Sequence, residues 1–138
     1  MTQSSWKNYI DIARPSHWLK HIFILPGIIL AYLLVDVHDG SLGETLIFGL
    51  PAACFLASAN YVLNEWVDAR TDRFHPLKRN RPAAAGIVKS PLIIAEYLLL
   101  AAAGLALAVR VNEAFFCTGV IFLLMGCLYN LPDRKSVV

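Results

Sequence analysis

Apolar positions gather into four long runs, Leu19 to Val35, Leu46 to Leu63, Leu92 to Val109 and Ala114 to Leu131, and charge is largely confined to the segments between them. Each run approaches the ~20 residues a helix needs to cross the hydrocarbon core of a bilayer. Four in succession predict an all-α, multi-span transmembrane helical bundle, with spans of about 19–35, 46–66, 92–109 and 114–131 in a single membrane domain over 1–138. In the arm 1–18, Trp6, Tyr9, Ile10 and Ala13 share one helical face and Lys7, Asn8 and Asp11 the other, which predicts a short interfacial helix ended by Arg14-Pro15. Pro26-Gly27 is expected to kink or thin the first span, and Asp39-Gly40 to mark the turn after it. Pro51 falls early in the second span, where a lost backbone bond is tolerated.

Composition agrees: 57% of residues are hydrophobic and 16% charged, with a mean hydropathy of +0.56, far from an ordinary soluble domain. The first run reads as a retained span, since the arm before it carries Trp6, Tyr9 and Trp18 and no small-residue cleavage pattern follows. Eleven of the twelve Lys and Arg residues fall in the N-terminal arm, the loop from Arg70 to Lys89, or the tail at Arg134 and Lys135; Arg110 is the exception. The positive-inside rule therefore puts both termini and the 64–90 loop in the cytoplasm, with the protein in the inner, cytoplasmic membrane. A net charge of +2 implies no general affinity for nucleic acid. Cys54, Cys117 and Cys127 lie inside spans without ligand-like spacing and read as packing residues. His17 and His21, four apart, lack a third ligand nearby and read as interface residues.

The informative stretch is NEWVDARTDRFHPLKRNRP, Asn64 to Pro82. Nothing between Phe55 and Thr71 breaks a helix, so the second span is expected to run on into this polar segment and to end before Pro76. Asn60, Asn64, Asp68 and Asp72 are spaced by four, which places them on one slowly drifting helical stripe. Asn64, Asp68 and Asp72 form an oxygen-only ligand set suited to Mg²⁺, which takes few carboxylates and completes its shell with water and phosphate oxygens. Arg73, Lys78, Arg79 and Arg81 offer cations for phosphate groups left negative after a metal has bound. Topology alone also accounts for these bases, with Asp68 and Asp72 paired to Arg70, Arg73 or nearby lysines. The regular spacing of amide and acids, at the membrane end of a span where polar groups are costly, favours a site.

Asn64-x-x-x-Asp68-x-x-x-Asp72 resembles the first aspartate-rich motif of the UbiA-type intramembrane prenyltransferase superfamily. Asp72-Arg73-Phe74-His75-Pro76-Leu77-Lys78-Arg79-Asn80-Arg81-Pro82, followed by Ala85-Gly86, is similar to the continuation found in the branch that includes decaprenyl-phosphate phosphoribosyltransferase, and Arg14-Pro15-Ser16-His17-Trp18-Leu19-Lys20 resembles that branch's entry into the first span. The resemblance implies a helical bundle with a cavity open to lipid, in which Asn64, Asp68 and Asp72 bind Mg²⁺ and a diphosphate donor. Lys20, Arg73, Lys78 and Arg81 would contact phosphates; His75 is a weaker candidate and Lys20 has an alternative reading as a snorkelling anchor. The reaction implied is phosphoribosyl transfer from phosphoribosyl diphosphate to a polyprenyl phosphate, with prenyl transfer to an aromatic acceptor as the alternative. Diphosphate departure needs charge neutralisation and no protein nucleophile.

The superfamily pattern has about twice as many spans and a second aspartate-rich motif, neither of which this chain contains. It is expected to correspond to the N-terminal half of the bundle, poorly active alone, and completed by a second chain or by self-association. A non-catalytic four-span protein that has inherited an idle motif is the reading from another class.

Overall fold

A computed structural model describes residues 6–34 and 42–130. Asp36, Asp39-Gly40, Arg134, Lys135 and the ends of the first and last spans lie outside the described residues. Within them the chain is helical and has no strand: α1 (Trp6–Ala13), a 3₁₀ segment (Pro15–Ile24), α2 (Leu25–Leu34), α3 (Leu42–Asp72), α4 (Ser90–Val111) and α5 (Glu113–Asn130). Helices α3, α4 and α5 are each long and apolar enough to cross a membrane, and the bent stretch from α1 through α2 supplies up to one more. The protein is an integral membrane protein built as a multi-span helical bundle.

Two elements depart from the sequence expectation. The first span is not one α-helix, because a 3₁₀ segment covers its first third and α2 begins at Leu25. Pro26 therefore sits in the first turn of α2, where its missing N–H is no loss, and the break precedes it. Helix α3 begins at Leu42, four residues before the expected span, and runs without interruption through Pro51 to Asp72. It thus carries the membrane-spanning run and the polar stripe on one rigid element of 31 residues. The turn between α4 and α5 is short for a local reason: Asn112 is extended and its Oδ1 accepts a hydrogen bond from the Phe115 N–H at 2.7 Å, capping α5.

Small residues let the long helices approach closely, the usual way spans associate where lipid removes the hydrophobic drive. α3 packs chiefly on α4, and Leu56 of α3 is pressed between Gly104 of α4 and Gly119 of α5. A Cβ added at Gly104 would lie 2.7 Å from Leu56 Cγ and 3.2 Å from its backbone nitrogen. Gly104→Ala is therefore expected to lower stability by about 1–3 kcal/mol through overpacking. Gly43→Ala, with open space around it, should be neutral or slightly stabilising; thermal unfolding of the two variants in detergent checks the contrast. Leu56, Ala59, Ala101 and Leu123 form one buried cluster in this zone.

A second cluster, Ile12, Val62, Val88 and Ile93, sits at the charged end and ties α1 and the 73–89 loop to α3 and α4. The 3₁₀ segment lies along α3: Trp18 Nε1 donates to Ser58 Oγ at 2.9 Å, and His17 stacks edge-on against Tyr61. The cysteines are unpaired; Cys54 is buried in α3, and Cys127 Sγ lies 3.4 Å from the Tyr97 hydroxyl. Outward-facing Leu98, Leu99, Ile121, Met125 and Leu128 give α4 and α5 an apolar exterior suited to lipid.

Candidate functional site

The stripe on α3 turns as it rises. Each step of four residues advances ~6 Å and rotates ~40° beyond a full turn, so Asn60 and Asp72 are separated by about 120° around the helix. Its two ends consequently meet different neighbours. Asn60 points at α5, where Nδ2 donates to the Phe122 carbonyl at 3.3 Å and the amide fills the space left by Gly126, whose missing Cβ would collide with it. Asn64, one turn on, lines a cleft of ≈ 510 Å³ with Arg14, Tyr61 and Asn130. Asn130 donates to the Gly126 carbonyl at 2.7 Å. The Oδ1 atoms of Asn60 and Asn130 are buried with no hydrogen-bond partner among the described residues, that of Asn60 lying against Gly126.

The other end of the stripe faces the 73–89 loop. Asp68 and Asp72 are both buried. Asp72 Oδ2 accepts from Arg81 Nη1 at 2.6 Å, and its Oδ1 lies 3.7 Å from Lys78 Nζ. The loop is a succession of turns that brings these cations back: His75 N–H bonds to the Asp72 carbonyl, Arg79 N–H to that of His75, and Arg81 N–H to that of Lys78. Pro76 falls inside this series, after the helix has ended. Gly86 closes the loop in the left-handed region, at φ +69°, which favours glycine. His75 has a structural task, since its Nδ1 accepts the Leu77 N–H at 3.2 Å.

The structure thus brings Asp72, Lys78 and Arg81 together, with Asp68 one turn below. Lys20 is exposed on the 3₁₀ segment and forms no ion pair among the described residues. Arg73 lies elsewhere: with Arg70 it lines a separate cleft of ≈ 480 Å³ on the far side of α3. Among the described residues no three His, Cys, Asp or Glu side chains gather closely enough to hold a metal ion by themselves.

Sequence reading assigns no site role to two residues found here, Glu65 and Arg14, although Arg14 opens the entry motif to the first span. Glu65 is buried, accepts from the Ala83 N–H at 3.5 Å and pairs with Arg14 at 3.7 Å. Arg14 in turn stands over the Tyr61 ring, 5.3 Å from its centroid, and adopts φ +50° at the corner between α1 and the 3₁₀ segment. The signal for Glu65 was its place: a carboxylate in a helix that has just left an apolar run.

Residues 22–137 match the model of the UbiA prenyltransferase family. The chain is 31% identical over 135 residues to decaprenyl-phosphate phosphoribosyltransferase of Mycobacterium tuberculosis, covering 94% of this chain and 43% of that protein. It is 29% identical over 130 residues to nodulation protein NoeC of Azorhizobium caulinodans, covering 94% of this chain and 41% of that one. The Corynebacterium glutamicum decaprenyl-phosphate phosphoribosyltransferase is 36% identical over 83 residues, 57% of this chain. The chain spans about two fifths of the length of the first two of these relatives.

Proposed function

Because this chain belongs to the UbiA prenyltransferase family, we propose that it forms the donor-binding part of a membrane transferase acting on phosphoribosyl diphosphate, with a polyprenyl phosphate as acceptor. The observation that carries the reading is the buried carboxylate of Asp72 held between Arg81 and Lys78, one turn from the buried Asp68. Its likeness to the phosphoribosyltransferases over 94% of its length supports the choice of donor.

The residues fit the Mg²⁺ that the family implies. Two buried carboxylates on one stripe are hard oxygen ligands, and this ion needs only one or two of them beside phosphate oxygens and water. Asp68 and Asp72 would hold it, with the Asn64 amide oxygen one turn further. Bound there, it would neutralise charge on the departing diphosphate. Arg81 and Lys78 rest on Asp72 in the structure, and an arriving diphosphate offers the same cations oxygens of matching geometry. Donor binding then exchanges carboxylate partners for phosphate partners without moving the loop far. The remaining ring nitrogen of His75 would add a phosphate contact, whereas Lys20 falls outside this set: its neighbour Trp18 is bonded to Ser58, ~21 Å along α3 from Asp72. Arg73 is left out of this set because it lines the opposite cleft.

In the transfer, an acceptor phosphate oxygen bonds to the anomeric carbon, and the bond from that carbon to diphosphate breaks, the leaving group taking the electron pair. The cleft that Arg14, Asn64 and Asn130 help to line supports a polar cavity walled on its other side by further helices, from the rest of a longer chain, a second chain or a second copy. The basic loop faces the cytoplasm in this reading, in accord with the charge distribution.

Calorimetric titration of the chain in nanodiscs tests the donor. Phosphoribosyl diphosphate should bind in Mg²⁺ and fall to a weak residual binding in chelator, with geranyl diphosphate weaker. A preference for geranyl diphosphate would point to prenyl transfer to an aromatic acceptor. Binding of both that chelator leaves unchanged, or absent binding of both, would leave a non-catalytic membrane subunit.

A further inference from the structure

We propose that the cleft on the far side of α3 binds the phosphate headgroup of an anionic glycerophospholipid. Its position follows from helix geometry: Arg70 lies about 160° around α3 from Asp72, so the two residues serve different surfaces. The cleft is formed by the last turns of α3, the returning loop and the first turn of α4, and Arg70, Arg73 and Ser90 supply its polar lining. No carboxylate contributes to that lining. Lys78 and Arg81 spend their charge on Asp72, whereas neither Arg70 nor Arg73 has an ion pair among the described residues. Arg70 and Arg73 thus both line one cavity of ≈ 480 Å³.

The rest of the lining decides which phosphate compound fits. Val67, Val88 and Ile93 make one wall apolar, and Trp66 stands at the rim, partly exposed. The cleft thus joins the end of the membrane-spanning run to the basic loop. Tryptophan prefers the boundary between lipid and water, and basic pockets between spans at that level take anionic headgroups. A soluble phosphate would satisfy the arginines and leave the apolar wall wet; a phospholipid covers both, with its phosphate on Arg70 and Arg73 and its glycerol and upper acyl carbons against Val67 and Ile93. The loop gains a second anchor in this way, on the face away from Asp72.

Native mass spectrometry of the protein exchanged into phosphatidylglycerol or phosphatidylcholine micelles tests the assignment. Wild type should retain phosphatidylglycerol selectively, and R70Q/R73Q should retain it about thirtyfold less, the order expected for two cations at a membrane surface. K7Q/R79Q removes the same charge from exposed positions and should retain lipid as wild type does. Equal loss in both double variants, or equal retention of the two lipids, would overturn the proposal by reducing the effect to bulk charge or apolar contact. Inorganic phosphate is the second arm: if it displaces phosphatidylglycerol at millimolar concentration and broadens in ³¹P spectra only with intact Arg70 and Arg73, the cleft takes a soluble anion and the lipid assignment is wrong. Unchanged circular dichroism of the variants separates these outcomes from unfolding.

Discussion

Asp72→Ala is expected to weaken Mg²⁺-dependent diphosphate binding by at least about a hundredfold, the upper range seen even for residues that only support a metal ligand. The same substitution should strengthen the metal-independent component several-fold. Asp72 holds Arg81 at 2.6 Å and Lys78 at 3.7 Å, and without it both cations lose their internal anion and become available to a phosphate. Opposite signs for the two components are what a metal ligand that also parks cations requires. Asp72→Asn should give a smaller change in the metal-independent component, because the amide oxygen still accepts from Arg81. Titrations in Mg²⁺ and in chelator read both. If the two components fall together, Asp72 acts by folding the loop; if neither changes, the donor site is elsewhere.

How much of this was legible beforehand depends on the range over which each feature is encoded. The three long helices follow from apolar run length, and the continuation of α3 to Asp72 follows from the lack of any breaker between Phe55 and Thr71. The 3₁₀ segment was hidden because Pro15 to Ile24 is apolar enough to read as the start of a span, while its backbone is fixed by contacts from Trp18 and His17 to Ser58 and Tyr61 across some forty residues. At the site, spacing by four identified the stripe but not its partners. The drift of ~40° per step is small over one interval and decisive over three, sending Asn60 to α5 and Asp72 to the loop. Arg73 and Arg81 look equivalent in sequence, yet the turn series places one on each side of α3. Glu65 escaped notice for a similar reason, since its partners Arg14 and Ala83 come from opposite directions along the chain.

Glu65→Ala is expected to lower stability by about 1–2 kcal/mol, because it removes the buried partner of a partly exposed ion pair and the acceptor of a backbone N–H together. Its larger consequence concerns the donor. Glu65 joins Arg14, at the corner after α1, to Ala83, which is only two residues from Arg81. Loss of that link should free the loop that carries Arg81 and Lys78 to Asp72, lowering diphosphate affinity by about tenfold, or ~1.4 kcal/mol, although Glu65 touches no phosphate. Glu65→Gln separates the two halves of the role: its amide oxygen can still accept from Ala83 N–H but cannot pair with Arg14. Donor affinity should therefore recover in the glutamine variant while stability recovers only in part. Thermal unfolding followed by labelling of buried Cys54 reports global stability, and tryptic cleavage at exposed Arg79 reports the loop. Faster cleavage in Glu65→Ala at temperatures where Cys54 stays protected would place the effect in the loop. Unchanged cleavage with unchanged donor affinity would show that Asp72 alone holds the loop, and that Glu65 does no more than fix the arm to α3.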